Sequence, residues 1–228
     1  MKKVLSFVLA LVIALSAFSM AAFAEDAPKT KTEALLDKVY TATELQVSFT
    51  PDESFSEIFP TETVTIYAKG KDLAADVKLG FLPLRAVKSG DACYIYSTML
   101  PFAYISVGAN VFDSMIGNVD VWEYVHQAVD SARLLLAFVK SGEEKIGDET
   151  YFVEEFNDRE HVTTKFCYKG DELKLISVYD DADKTTQVTE INGYSFTVDS
   201  KVFKAPVGID LTKLLVMIGI IKGLPLAA

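Results

Sequence analysis

Two spacings of apolar residues divide this 228-residue chain and restrict what it can fold into. Across residues 45–107 and again across 150–198, apolar and polar positions alternate in short runs. The runs end at Gly70-Lys71-Asp72, Ser89-Gly90-Asp91, Pro101, Lys169-Gly170-Asp171 and Asp181-Ala182-Asp183-Lys184. Period-two alternation puts successive side chains on opposite faces of a strand, and turns this close together favour antiparallel neighbours. Between the two regions the period changes. In DVWEYVHQAVDSARLLLAFVK, Trp122, Val125, Val129, Ala132, Leu136 and Val139 recur in steps of three and four. That stripe predicts a helix of about five turns, capped by Asp120 or Asn118 and ending before Gly142. Leu134, Leu135 and Phe138 widen its apolar surface, so its last turns are expected to be more enclosed than its first. A short helix is predicted over residues 30–39, with Thr32 as its cap and Leu35, Leu36 and Val39 on one side. Ten or eleven strands with one inserted helix and one leading helix make an α+β domain.

The N-terminus, MKKVLSFVLALVIALSAFSMAAFAEDA, has two lysines, an apolar stretch and the small-x-small triplet Ala22-Phe23-Ala24. It reads as a secretory signal peptide over residues 1–24, leaving 25–228 as one domain in a secreted or extracytoplasmic setting. Val4–Phe23 is also long enough to span a bilayer as a retained anchor, but the acidic Glu25-Asp26 after Ala24 fits cleavage better. No Cys lies near the cut, so no lipid attachment is expected there. Loss of Lys2 and Lys3 takes the net charge from −10 to about −12, which repels phosphate backbones and disfavours nucleic acid. Cys93 and Cys167 allow either one disulfide or two buried thiols. The apolar run Leu214–Ile221 is too short to cross a membrane and is expected to be a terminal helix docked on the sheet, with an exposed partner-binding patch as the alternative.

Chemistry is sparse. The chain has no GxSxG, HExxH, CxxC or phosphate-binding glycine loop, so no enzyme and no cofactor are expected. Only His126 and His161 are present, and His161 and Cys167, six positions apart on one strand, would stand about 20 Å from each other. A two-residue turn at Gly170-Asp171 would set His161 opposite Asp180 as a structural ion pair. His126 belongs at the edge of the helical stripe. DDADKTTQVTE opens like a calcium loop, but Thr186 stands where glycine is needed and Asn192 replaces the final Glu, so an Asp-rich turn and no metal are expected. Glu154 and Glu155 are adjacent on a strand and face opposite ways.

What remains is apolar surface. Residues 93–107, CYIYSTMLPFAYISV, carry no charge. Alternation places Tyr94, Tyr96, Phe102 and Tyr104 on one face and Ile95, Ala103, Ile105 and Val107 on the other, with Phe166 and Tyr168 recurring on a later strand. Either these rings pack on the helix that begins at Trp122, or a strongly curved sheet encloses more apolar area than its helices fill. In the second case Tyr94, Tyr96, Phe102, Tyr104, Trp122, Phe166 and Tyr168 line a ligand hollow, where a tyrosine offers an aromatic wall with a polar tip.

The order of elements, with SGDACYIYS, GDETYFVEEF, FCYKGDELKLISVYD and the closing FKAPVGID, resembles the LolA-like and LppX/LprG-like lipoprotein carriers and, more distantly, the periplasmic sensor RseB. The resemblance covers most of residues 30–210 and implies an unclosed half-barrel, a curved antiparallel sheet wrapped around helices. It also implies a lipid or acyl ligand carried without catalysis. A sensor or protein-interaction module using the same apolar surface is the alternative, and the sequence names no protein partner.

Overall fold

The computed structural model describes residues 19–20, 30–51, 63–108, 120–158 and 162–217. The rest of the predicted leader, Asn118, His161 and residues 218–221 of the apolar tail lie outside the described residues. The strands are β1 (Ser19–Met20), β2 (Glu44–Thr50), β3 (Val64–Lys69), β4 (Asp72–Leu79), β5 (Leu82–Ser89), β6 (Ala92–Ser97) and β7 (Ala103–Gly108). They continue as β8 (Leu134–Leu135), β9 (Ala137–Ile146), β10 (Glu149–Asn157), β11 (Val162–Lys169), β12 (Glu172–Asp180), β13 (Thr185–Ser195) and β14 (Ile209–Asp210). The helices are α1 (Lys31–Thr41), α2 (Val121–Arg133) and α3 (Thr212–Met217).

Twelve of the strands form one sheet in the order β14-β7-β6-β5-β4-β3-β2-β13-β12-β11-β10-β9. Two antiparallel meanders, β2 to β7 and β9 to β13, are joined side by side where β13 pairs with β2. Only β14 runs parallel to its neighbour. The sheet does not close, and β14 and β9 are its two ends. An α+β half-barrel wrapped around helices is therefore the observed architecture.

Local chemistry explains both main helices. Thr30, one step before the helix, caps α1 through a reciprocal pair: its side chain accepts from Glu33 N at 3.1 Å, and the Glu33 carboxylate accepts from Thr30 N at 2.7 Å. Thr32, the predicted cap, instead lies buried with its hydroxyl 2.9 Å from that of Tyr168. Glu154, also buried, accepts from the backbone N–H of Lys31 and of Thr32 at 2.8 Å each. A carboxylate at these unsatisfied amides holds the start of α1 on the sheet. Glu155 faces the other side, near Lys140 and Lys165.

Asp120 caps α2 as expected, but the helix stops at Arg133. The rest of the predicted five turns becomes β8 and then β9, which pairs with β10 from Ala137 to Ile146. Pairing along a whole strand supplies hydrogen bonds that outweigh the helical preference of the segment. As a result Leu134, Leu135, Phe138 and Val139 are exposed rather than enclosed, while Leu136 remains buried. The β8 residues Leu134 and Leu135 pair with Met20 and Ser19 of β1.

The β11–β12 hairpin turns at Gly170-Asp171, with Gly170 at a φ of 60° that favours glycine. A bulge between Cys167 and Tyr168 shifts the register by one, so Val162 rather than His161 faces Asp180. At the next turn the Asp180 carboxylate accepts from Ala182 N and Asp183 N, and Lys184 pairs with Asp181. The acidic segment is thus a self-bonded turn. His126 is a packing residue whose Nε2 lies 3.0 Å from the Tyr40 carbonyl, with the two rings 4.7 Å apart.

Cys93 and Cys167 are both buried, and no disulfide joins them. Cys93 lies on the helix-facing side of β6 and Cys167 on the opposite side of β11, with six strands between them in the sheet. At about 4.8 Å per strand they stand roughly 30 Å apart along the sheet, far beyond disulfide reach.

Candidate ligand trough

Register fixes which residues share the face under the helices. Phe49 pairs with Val64, Val64 with Val77, and Val77 with Leu84. The adjacent row on the same face runs from Ile66 through Ala75, Ala86 and Ile95 to Ile105. At one end of this face α1 and α2 bury Phe49, Phe156, Phe166, Tyr168 and Ile176 in a single core. Phe156 stacks edge-on against Phe166 and against Phe138, each at 5.6 Å. Across β4 to β7 the same face changes character. Ala75, Leu84, Ala86 and Ile105 are half-buried, and Ile95 is 39% exposed, against 0% for Phe49 and 1% for Phe166. The two alanines leave depth between the longer side chains. The result is an apolar trough centred on this row, with the buried Cys93 and Val107 of the next row along one side.

The outer face is covered differently. Ala74 and Val87 are buried there beneath Val198 and Phe203, which a 3-10 turn, Ser200–Phe203, presses onto β4 and β5. Arg85 grips Asp76 with two hydrogen bonds of 2.6 Å, and the Tyr67 hydroxyl donates to the same carboxylate.

The structure divides the seven residues predicted to line a hollow between the outer face, the β6–β7 turn and the helix-covered core, where Trp122 packs with Phe166 and Tyr168. Tyr94, Tyr96 and Tyr104 lie on the outer face, opposite the trough. Tyr94 and Tyr104 meet edge-on at 5.9 Å, and Tyr96 packs against the Val87–Phe203 cluster. Phe102 sits exposed in the β6–β7 turn. Trp122 stands at the start of α2, its Nε1 donating to the Gly70 carbonyl at 2.7 Å. Phe166 and Tyr168 belong to the filled core, where burial drives the Tyr168 hydroxyl far above its ordinary pKa. Alternation separated tyrosines from isoleucines correctly, but both sets are apolar. Only the pairing chain from Phe49 shows that Ile95 and Ile105 face the helices. The trough residues Ala75, Leu84 and Ala86 were not singled out, because small or ordinary apolar residues in a strand carry no signal of their own.

A second hollow, of about 360 Å³, lies on the outer face of β9 to β13. Ile146, Lys165, Cys167, Leu175, Tyr179 and Val188 contribute to its walls. Lys165 is held by Glu144 at 2.8 Å. Burial pushes the Cys167 thiol up to about 11, so at neutral pH it is protonated and a poor nucleophile. Among the described residues no group of three or more His, Cys, Asp or Glu stands together as a metal site. Also among them, no helix is long and apolar enough to cross a membrane.

No family model matches the chain, and no curated protein sequence does. Solved structures do. The lipoprotein LppX of Mycobacterium tuberculosis aligns over 74% of this chain and 95% of its own, at 10% identity and a TM-score of 0.37. A LolA superfamily protein from Nitrosomonas europaea aligns over 75% and 96%, at 11% identity and a TM-score of 0.28. An uncharacterized conserved protein from Thermus thermophilus aligns over 78% and 95%, at 11% identity and a TM-score of 0.36. The half-barrel assignment rests on the strand order of this chain itself.

Proposed function

We propose that this protein is exported after loss of residues 1–24 and binds or carries a lipid-like apolar ligand without catalysis. The ligand lies in the trough on the helix-facing side of β4 to β7. The supporting observation is the contrast along one face, filled by helices at one end and left apolar and half-exposed around Ala86 and Ile95 at the other. An acyl chain laid there is stabilised by about 25 cal/mol for each Å² of apolar surface removed from water. Delipidated protein titrated with a fluorescent fatty acid is expected to bind it at a single saturable site. An absence of binding, with the protein folded, would remove the carrier reading and leave the protein-interaction module as its replacement.

A further inference from the structure

In an antiparallel meander, successive turns alternate between the two ends of the strands. Here the ends differ in chemistry. The turns at Gly70-Lys71 and Gly90-Asp91 share one end and are polar and exposed. The turns at Gly80-Phe81 and Thr98–Phe102 share the other, where Phe81 is 87% exposed and Met99 66%, with Leu100 and Phe102 exposed beside them. These two turns are tied together, since Thr98 N donates to the Pro83 carbonyl at 3.2 Å.

A third segment joins them. Ile209 N donates to the Phe102 carbonyl at 2.7 Å, bringing the exposed Val207 and Ile209 to the same edge. Gly208 permits this approach, because a Cβ there would stand 2.1 Å from the Phe102 carbonyl oxygen. Six large apolar side chains on three separate segments therefore crown one end of β4 to β7. The sequence from Leu79 to Leu84 and from Ala92 to Phe112 contains no charge, although the chain carries a net −10.

We propose that this crown is a membrane-docking edge that rests in the headgroup layer of an electrically neutral bilayer. Projecting side chains on convex turns suit a deformable lipid surface better than a shaped protein pocket. The Phe81 and Met99 turns carry no charge, and the exposed Asp210 beside Ile209 adds a negative one, so on this acidic body zwitterionic lipid is favoured over anionic lipid. The strands that form the trough end at this edge, so docking would set the trough mouth against lipid. The crown's exposure is independent of whether the trough holds a ligand.

The test is vesicle flotation of the exported protein, its N-terminus read to confirm that the apolar leader is gone. Protein is expected to float with phosphatidylcholine vesicles and less with vesicles containing phosphatidylglycerol. Phe81→Ser with Met99→Ser should weaken flotation about tenfold or more, two large apolar side chains being lost from the contact. Its thermal melt should match the parent, since both positions are exposed. Lys71→Ser at the opposite end should float as the parent does. Parent protein that does not float, or a double variant that floats equally, overturns the docking edge. Flotation without fatty-acid binding removes the carrier reading alone, and fatty-acid binding without flotation removes the docking edge alone.

Discussion

The helix-facing side of the sheet contains two regions made from similar residues and put to different uses. Over β10 to β13 and β2, α1 and α2 press onto Phe49, Phe156, Phe166 and Ile176, and the interior is solid. Over β4 to β7 the row Ala75, Ala86, Ile95, Ile105 faces the same way but stays half-buried to exposed. Polarity does not separate the regions, because both are apolar. Coverage does. The helices are anchored at the filled end by Glu154 on the start of α1 and by Arg133 of α2, which reaches Asp37 at 2.6 Å.

Truncation should measure that difference most strongly. Phe166→Ala is expected to cost about 3–5 kcal/mol in denaturant unfolding, since it empties a site closed on every side. Ile95→Ala should cost less than about 1 kcal/mol, because much of that side chain already meets solvent. Equal losses at the two positions would erase the contrast.

Alkaline titration probes burial on both faces of β11, with Cys167 on the outer side and Tyr168 in the filled core. The folded Cys167 thiol titrates near 11, raised by burial from an ordinary 9.0, so above pH 9 the unfolded chain releases its proton first. Stability should therefore fall as pH rises from 9 to 11, by up to about 2–3 kcal/mol from this group. Tyr168, raised chiefly by burial, adds a loss of the same sign above its ordinary value of 10.0. Denaturation midpoints across this range, compared with Cys167→Ala, check the prediction, and the variant should lose less between pH 9 and 11.

A small effect of the opposite sign is expected at Thr164, a fully buried residue whose hydroxyl meets no hydrogen-bond partner among the described residues. Thr164→Val keeps the shape and removes the unpaired group, and should raise stability by about 1 kcal/mol in a thermal melt.

Much of the fold was legible because period-two alternation and turn residues act locally. The β11–β12 hairpin at Gly170-Asp171 and the Asp120 cap follow directly from neighbouring residues. The segment Leu134–Ile146 did not, because its residues suit a helix in isolation and only pairing with β10 makes them a strand. The one-residue bulge at Cys167 displaced the expected partner of Asp180 for a similar reason, since bulges answer to packing across the sheet. Legibility was poorest at the candidate site. Tyr94 and Ile95 are adjacent apolar residues, and which of them faces inward is decided by strand pairings that begin at Phe49. Aromatic rings drew the sequence reading to Tyr94, Tyr96 and Tyr104, whereas the open inner surface is made of Ala, Leu and Ile.

Fluorescent fatty-acid titration of two variants tests the trough most directly. Ala86→Trp adds bulk inside it, and Tyr94→Ala removes a ring from the opposite side of the same sheet. The trough predicts that Ala86→Trp weakens binding at least tenfold while Tyr94→Ala binds as the parent does. Binding that survives Ala86→Trp but is lost with Tyr94→Ala would place the ligand on the outer face and contradict the account.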